Sequence, residues 1–396
     1  MHPELFTLPI LGISIKTYGF FLMVGFLSAV WLAMRRGQRV KANPDVVLDM
    51  SFLALVFGVG GARVFYVVHY WQSQFADLPN RFWAIINITQ GGLEFLGGFV
   101  AATLAIVIYA VLKKVSIRLY LDTLAPSAMW GLAVGRVGCF FNGCCFGAVC
   151  VVPATVQPAY PWAVQFPFAS PAHWRQWEDR QVTVPAELIN AIKGKSEPWL
   201  LPAPLLSMSV EKRERPTRRY EDLSKQYEQA MADVPETDET TRLKKAVAAA
   251  LEKKKAHDDK LAVLKLAQAY PSRNAPTRRT SVSELEDLAG QCRSLPVHPT
   301  QLYSAINAML ISGLLSTLFY LRKRHGMVMG VLLVLYPIPR TLLELIRADN
   351  PYDVGGLTAS QFVSLGLLIA GIVYLVVLYK WLPERSPVLE RMAKGK

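Results

Sequence analysis

The chain has 396 residues, 52% of them hydrophobic and 18% charged, with a formal net charge of +13 and a mean hydropathy of +0.26. Residues 1–150 and 296–382 are strongly apolar, whereas charge is dense from Glu211 to Lys265. That partition excludes a single soluble domain and points to an all-α polytopic membrane protein with one large polar insertion. The positive charge gathers in loops between apolar stretches, so it does not read as a nucleic-acid footprint.

Seven stretches are long enough to span a bilayer, at about 20 residues each. They run Tyr18–Met34, Leu48–His69, Leu93–Leu112, Leu121–Phe141, Leu302–Leu321, Met327–Ile346 and Gln361–Leu382. The first has neither a basic segment before it nor a small-residue cleavage site behind it, and is expected to be a retained span. Arg35, Arg36, Arg39 and Lys41 follow span 1; Lys113, Lys114 and Arg118 follow span 3; Arg322, Lys323 and Arg324 follow span 5. Lys380, Arg385, Arg391, Lys394 and Lys396 lie in the tail, while the alternate loops carry only Lys16, Arg81 and Arg347. The positive-inside rule then places the N-terminus outside and the C-terminus in the cytoplasm. Trp71, Trp83 and Trp381 suit interfacial anchoring. The expected organisation is a membrane core at 1–150, an extracytoplasmic insertion at 151–295, and the rest of the core with a cytoplasmic tail at 296–396.

Within the insertion, Val151–Pro204 is rich in Pro, Trp and Phe and reads as irregular, partly packed structure. Leu223, Tyr227, Ala230 and Met231, then Leu243, Val247, Ala250 and Leu251, then Leu261, Leu264 and Ala267, recur at helical spacing. Pro235 separates the first two patterns, which predicts a helical hairpin with charged, solvated faces. Its partner, if it has one, is not written in any motif. Cys139, Cys144, Cys145 and Cys150 cluster at the end of span 4, and Cys292 precedes span 5. The spacing is not a two-plus-two zinc pattern and no histidine is near, so neither metal nor cofactor is expected. A Cys150–Cys292 bridge would close the base of the insertion in a compartment that permits disulfides; free thiols packed as small apolar groups are the plainer alternative.

Arg136 is the only charge between Ala128 and Gly147. An arginine at membrane depth costs roughly 2.5–3.5 kcal/mol on insertion scales. Arg63 and Arg340 stand in similar surroundings with few acidic partners, which suggests an anionic ligand. Four constellations carry the chemistry. Gly135–Gly143 contains Arg136, Asn142 and Gly143; Gly91–Gly98 contains Gly97 and Gly98. Tyr336-Pro337-Ile338-Pro339-Arg340 is followed by Glu344, on the same helix face, and by Arg347, and its prolines should kink the span. His298–Tyr303 holds His298, Gln301 and Tyr303 at the mouth of span 5. Each has a plainer reading: paired glycines pack helices, Arg340 and Glu344 form a buried pair, Arg63 snorkels, and His298 ends a helix. Together they favour a phosphate-bearing amphiphile, because guanidinium forks match phosphate oxygens.

These residues bring a family into view. The chain resembles the phosphatidylglycerol–prolipoprotein diacylglyceryl transferases over nearly everything except 151–290. The Gly135–Gly143 run is similar to the family signature, whose arginine and second asparagine stand here as Arg136 and Asn142. Tyr18-Gly19, His298–Tyr303, and the face Tyr336, Arg340 and Glu344 match further family motifs in order. The resemblance implies a multi-pass enzyme of the bacterial inner membrane whose partners are phosphatidylglycerol, membrane lipid and the preprolipoprotein signal peptide. Its catalytic residues would be Arg136, Arg340, Tyr18, Tyr336 and Glu344. Arg63, Gly97, Gly98, Asn142, Gly143, His298, Gln301 and Tyr303 would bind substrate. Three departures stand out: Leu96 replaces a histidine often proposed as catalytic, Cys139 and Cys144 stand where some members have Asn and Glu, and the insertion is long. Glu94 and His298 are then the weaker candidates for a base. Two rival expectations remain open: a transporter or flippase for an anionic phospholipid-like substrate, or an inactive member acting as a binding module.

Overall fold

The computed structural model describes residues 4–7, 14–76, 81–87, 92–152, 157–190, 199–201, 206, 210–233, 238–269, 282–348 and 356–384. Gly91, Pro235 and the tail residues Arg385, Arg391, Lys394 and Lys396 lie outside these. The chain divides into two units, one formed by His2–Cys145 with Pro299–Lys396 and the other by Phe146–His298.

The described residues of the first unit are mostly helical and include a short antiparallel pair, β1 (Glu4–Thr7) and β2 (Ser14–Lys16). Its opening helices are α1 (Thr17–Arg39), α2 (Pro44–His69), the short α3 (Arg81–Ile86), α4 (Phe95–Leu112) and α5 (Ile117–Asn142). Six described helices are long and apolar enough to cross a membrane: α1, α2, α5, Thr300–Leu321, Met327–Ile346 and Ala359–Lys380. Their outer faces expose Val68, Leu310 and Leu314 at 71%, 68% and 54%. Exposure of that kind is costly in water and is what hydrocarbon requires.

Local chemistry sets the helix starts. Pro44 opens α2 behind Asn43, whose Oδ1 accepts the Asp45 amide at 2.9 Å. Ser116 caps α5 by accepting from the Leu119 amide. α2 packs on α4 through glycines: a Cβ on Gly97 would come within 2.6 Å of the Gly61 carbonyl and 2.2 Å of Phe65 Cβ. Backbones can approach this closely only where side chains are absent. α1 packs on α5, and Gly138 of α5 lies against Tyr18 and Phe21.

Two of the arginines counted as loop charges are buried instead. Arg36 lies within α1 and donates to the Thr123 carbonyl, Ser127 Oγ at 2.6 Å and Ser316 Oγ at 3.1 Å. Arg322 pairs with the fully buried Asp122 at 3.1 Å and lies over the Phe319 ring. Asp122 also accepts from the Gly326 and Met329 amides. The two arginines tie helix ends together, as buried charges must when held by partners.

The second unit is mixed. It contains α6 (Pro171–Glu178), the two-stranded pair β3 (Ile189–Asn190) and β4 (Trp199–Leu200), α7 (Val210–Asp233), α8 (Asp238–Ala269) and α9 (Val282–Gln291). α7 packs on α8, the predicted hairpin, with Lys254 Nζ 4.9 Å from the Tyr220 ring. A small core gathers Phe168, Leu188, Leu200, Leu201, Leu206 and Leu285. Cys150 and Cys292 are both free thiols. Cys292 packs against that core, and the Cys150 backbone pairs with Pro296 and Ala159.

The first unit closes with α10 (Thr300–Leu321), α11 (Met327–Leu335), α12 (Pro337–Ile346) and α13 (Ala359–Lys380). The predicted kink falls at Tyr336, which ends α11 and starts α12, because Pro337 and Pro339 cannot donate to the preceding turn. α13 begins with a capping box between Thr358 and Gln361.

Candidate active site

The site is built at the end of α5. Gly143 terminates that helix in the left-handed conformation, φ 73°, a geometry glycine adopts without steric cost. Two residues on, Cys145 also takes a positive φ of 59°. For a non-glycine residue this is strained, roughly 1–3 kcal/mol, and persists only where the surroundings enforce it. The first turn of α10 supplies the enforcement. Gln301 Nε2 donates to the Cys144 carbonyl at 2.8 Å, and Thr300 Oγ1 donates to the Cys145 carbonyl at 2.6 Å. The turn folds back on α5 so that the Sγ atoms of Cys139, Cys144 and Cys145 lie within 4.8 Å of one another. Asn142, the last residue of α5, immediately precedes that turn. Cys139 is buried; Cys144 and Cys145 are half-buried.

Arg136 stands one to two turns back along α5, half-buried. Its electrostatic neighbours are Cys139, Cys145, Tyr336 and Arg347. Tyr18, at the start of α1, is within the same reach of Arg136 and all three thiols. The two arginines, two tyrosines and three thiols thus converge from α1, α5, α12 and the turn after α5.

A second set adjoins it through Arg347. Glu344 is buried, and its carboxylate is held by Arg340, by Arg347 at 3.6 Å and by Thr358 Oγ1, which donates at 3.1 Å. Arg340 also donates to Ser360 Oγ at 2.8 Å. The carboxylate therefore orients both guanidinium groups rather than standing free to move protons.

Other predicted residues lie elsewhere. Arg63 spends its guanidinium on three backbone carbonyls, Ile85 and Gly92 at 2.8 Å and Ala84 at 2.7 Å, and so organises the segment before α4. Gly97 and Gly98 face α2, and their observed role is helix packing. Tyr303 is half-buried on the first turn of α10. His298 belongs to the second unit, where its backbone pairs with Gly147 and Ala148 and its ring lies 5.5 Å from that of Tyr160. Leu96 is partly exposed at the start of α4. Close to it in sequence, Glu94 pairs with His69 Nδ1 at 3.1 Å.

Sequence reasoning counted Arg347 as an outer-loop charge and also placed it after Glu344 in the late constellation, without giving it a site role. The available signal was its spacing, three residues after Glu344 and seven after Arg340, which keeps all three on one helical face. The spacing of the cysteines speaks against a metal, yet the left-handed turn brings three sulfurs together; a positive φ on cysteine is not visible in a sequence.

The fold, with six described helices long and apolar enough to cross a membrane, is that of a polytopic helical protein. A family model described as Prolipoprotein diacylglyceryl transferase matches residues 3–224 and 253–377, and the chain belongs to that family. Among its relatives, a phosphatidylglycerol–prolipoprotein diacylglyceryl transferase of Rhodopirellula baltica is 35% identical over 170 residues, covering 42% of this chain and 32% of the relative. A protein of that name from Trichormus variabilis is 38% identical over 135 residues, 34% of this chain and 46% of the relative. Another from Chloroflexus aggregans is 35% identical over 157 residues, 39% and 50% respectively. The chain thus spans about a third to a half of the length of the curated relatives it matches.

Proposed function

We propose that the protein transfers the diacylglyceryl group of phosphatidylglycerol to the lipobox cysteine of a preprolipoprotein, forming a thioether and releasing glycerol 1-phosphate. The observation that carries this reading is the convergence of Arg136, Arg347, Tyr18 and Tyr336 at one helix end, in a chain of this family. The substrate sulfur attacks the glyceryl carbon next to phosphate. The carbon–oxygen bond breaks, and the phosphate goes from one negative charge toward two. Preorganised cations in a water-poor site stabilise that growing charge far better than water-exposed ones. Arg136 is the phosphate ligand, with Arg340 and Arg347 set by Glu344 behind it. Tyr18 and Tyr336 orient phosphate or glycerol hydroxyls, and Asn142 and Gln301 fix the turn beside the sulfur.

The lipid setting follows from the same elements. α4 is the seventh crossing: its 18 residues reach about 27 Å at 1.5 Å each, close to a hydrocarbon core of about 30 Å. With seven crossings, Arg35, Arg39 and Lys41, then Lys113 and Lys114, then Lys323 and Arg324 share one side, which the positive-inside rule makes cytoplasmic. The N-terminus is then outside, Arg136 lies near the outer face of the inner membrane, and the signal peptide meets phosphatidylglycerol there.

Membranes containing Arg136→Ala should insert normally and convert a lipobox peptide at least ~100-fold more slowly than wild type, the scale of losing one transition-state charge partner. Near-normal conversion would sink the assignment.

A further inference from the structure

Cys139, Cys144 and Cys145 do more than line the site. We propose that they form a three-thiolate site for a thiophilic divalent metal of the zinc class, whose open fourth position takes the sulfur of the substrate cysteine. The proposal rests on the transferase reading for the identity of that fourth sulfur, but not for the metal site itself.

The geometry is close to what such an ion demands. Zinc–sulfur bonds of about 2.3 Å in a tetrahedron set neighbouring sulfurs about 3.8 Å apart. The three Sγ atoms lie within 4.8 Å of one another, so small side-chain rotations close the site. The turn is built for this convergence. Cys145 is held in the left-handed region, and both cysteine carbonyls are pinned by Gln301 and Thr300. Three sulfurs cannot all be satisfied by one disulfide, whereas three protein ligands with a position left for substrate is the pattern of a catalytic rather than a structural zinc site. Charge fits as well. Three thiolates and a divalent ion carry a net charge of about −1, and a fourth thiolate makes it about −2. Arg136 and Arg347 neighbour Cys145, and Arg136 also neighbours Cys139.

The chemistry completes the transfer on a chain with Leu96 where the family histidine would stand. An ion held by Cys139, Cys144 and Cys145 would lower the substrate thiol's hold on its proton, which would pass to solvent, since a coordinating thiol is deprotonated outright. The sulfur's electron pair forms the bond to the glyceryl carbon. The carbon–oxygen bond to phosphate breaks, its electrons stay on oxygen, and glycerol 1-phosphate leaves. The released proton and the added phosphate charge balance. The product thioether carries no charge and would be a weaker ligand for such an ion than the thiolate.

The test uses the full chain, reduced and reconstituted in lipid nanodiscs, stripped with chelator and reloaded with zinc or cobalt(II). Elemental analysis should find one metal ion per chain, and cobalt should show a sulfur-to-metal charge-transfer band. Cys139→Ser, Cys144→Ser and Cys145→Ser should each weaken zinc binding at least ~10-fold, while Cys150→Ser and Cys292→Ser leave it unchanged. A lipobox peptide should shift the cobalt band, and the same peptide with serine for cysteine should not. Equal metal content in the triple serine variant would overturn the site. So would a disulfide among the three in freshly isolated membranes, or full-rate transfer by chelator-treated wild type. A cysteine-dependent cobalt band with no lipidated peptide would uphold the metal site and refute the transferase reading instead.

Discussion

Arg136 is legible in the sequence because a charge in an apolar run is expensive and therefore informative. Its partners were legible only in part. Tyr18, Tyr336 and Asn142 came from motif order and lie at this end of α5, whereas Arg347, named after Glu344 in the late constellation, had no role there until Glu344 was seen to hold it. Arg63 shows the opposite failure. It stands in the same kind of apolar run, but its guanidinium is spent on the carbonyls of Ala84, Ile85 and Gly92. Apolar surroundings signal that an arginine must be satisfied, and do not say by what. Leu96 is the residue-scale test of how the thiol is activated. On the proposed reading, in which the substrate thiol loses its proton without a histidine base, Leu96→His should leave the transfer rate and its pH dependence unchanged. A rate increase with a new titration near the imidazole range, read from a pH–rate profile, would restore a histidine base.

At the scale of elements, helix positions followed from hydropathy and caps, and the break at Tyr336 followed from two prolines. The glycine pairs were ambiguous, since a cavity lining and a close packing contact leave the same mark in sequence. The backbone distances resolve Gly97 into packing against Gly61. Gly97→Val should therefore lower the thermal midpoint of the detergent-solubilised protein by the equivalent of about 1–3 kcal/mol or more, as overpacking does. Gly60→Ala, where an added Cβ meets nothing within 4 Å, should leave the midpoint in place. The left-handed Cys145 was not legible, because nothing in residue identity announces that a cysteine will adopt a glycine's conformation.

At the scale of the whole molecule, composition alone suggested a boundary between an apolar core and a polar insertion; the structure forms two units, His2–Cys145 with Pro299–Lys396 and Phe146–His298. What composition could not supply was the small core that organises the second unit. His173 is buried there at 1% exposure, and burial pushes its pKa below the ordinary 6.5. The sign follows from linkage. As pH falls below 6.5 the unfolded chain takes up a proton that the folded unit resists, so stability is lost progressively until the lower folded pKa is passed. Limited proteolysis of the 146–298 unit should accelerate between about pH 7 and pH 5, and His173→Leu should flatten that response.

Chemical turnover is the most direct test of the central claim. Purified full-length protein, reconstituted with phosphatidylglycerol and a lipobox peptide, should yield a peptide heavier by one diacylglyceryl group in thioether linkage, with one glycerol 1-phosphate released per peptide. Unmodified peptide with intact phosphatidylglycerol, whether or not the lipid has moved between leaflets, would contradict it.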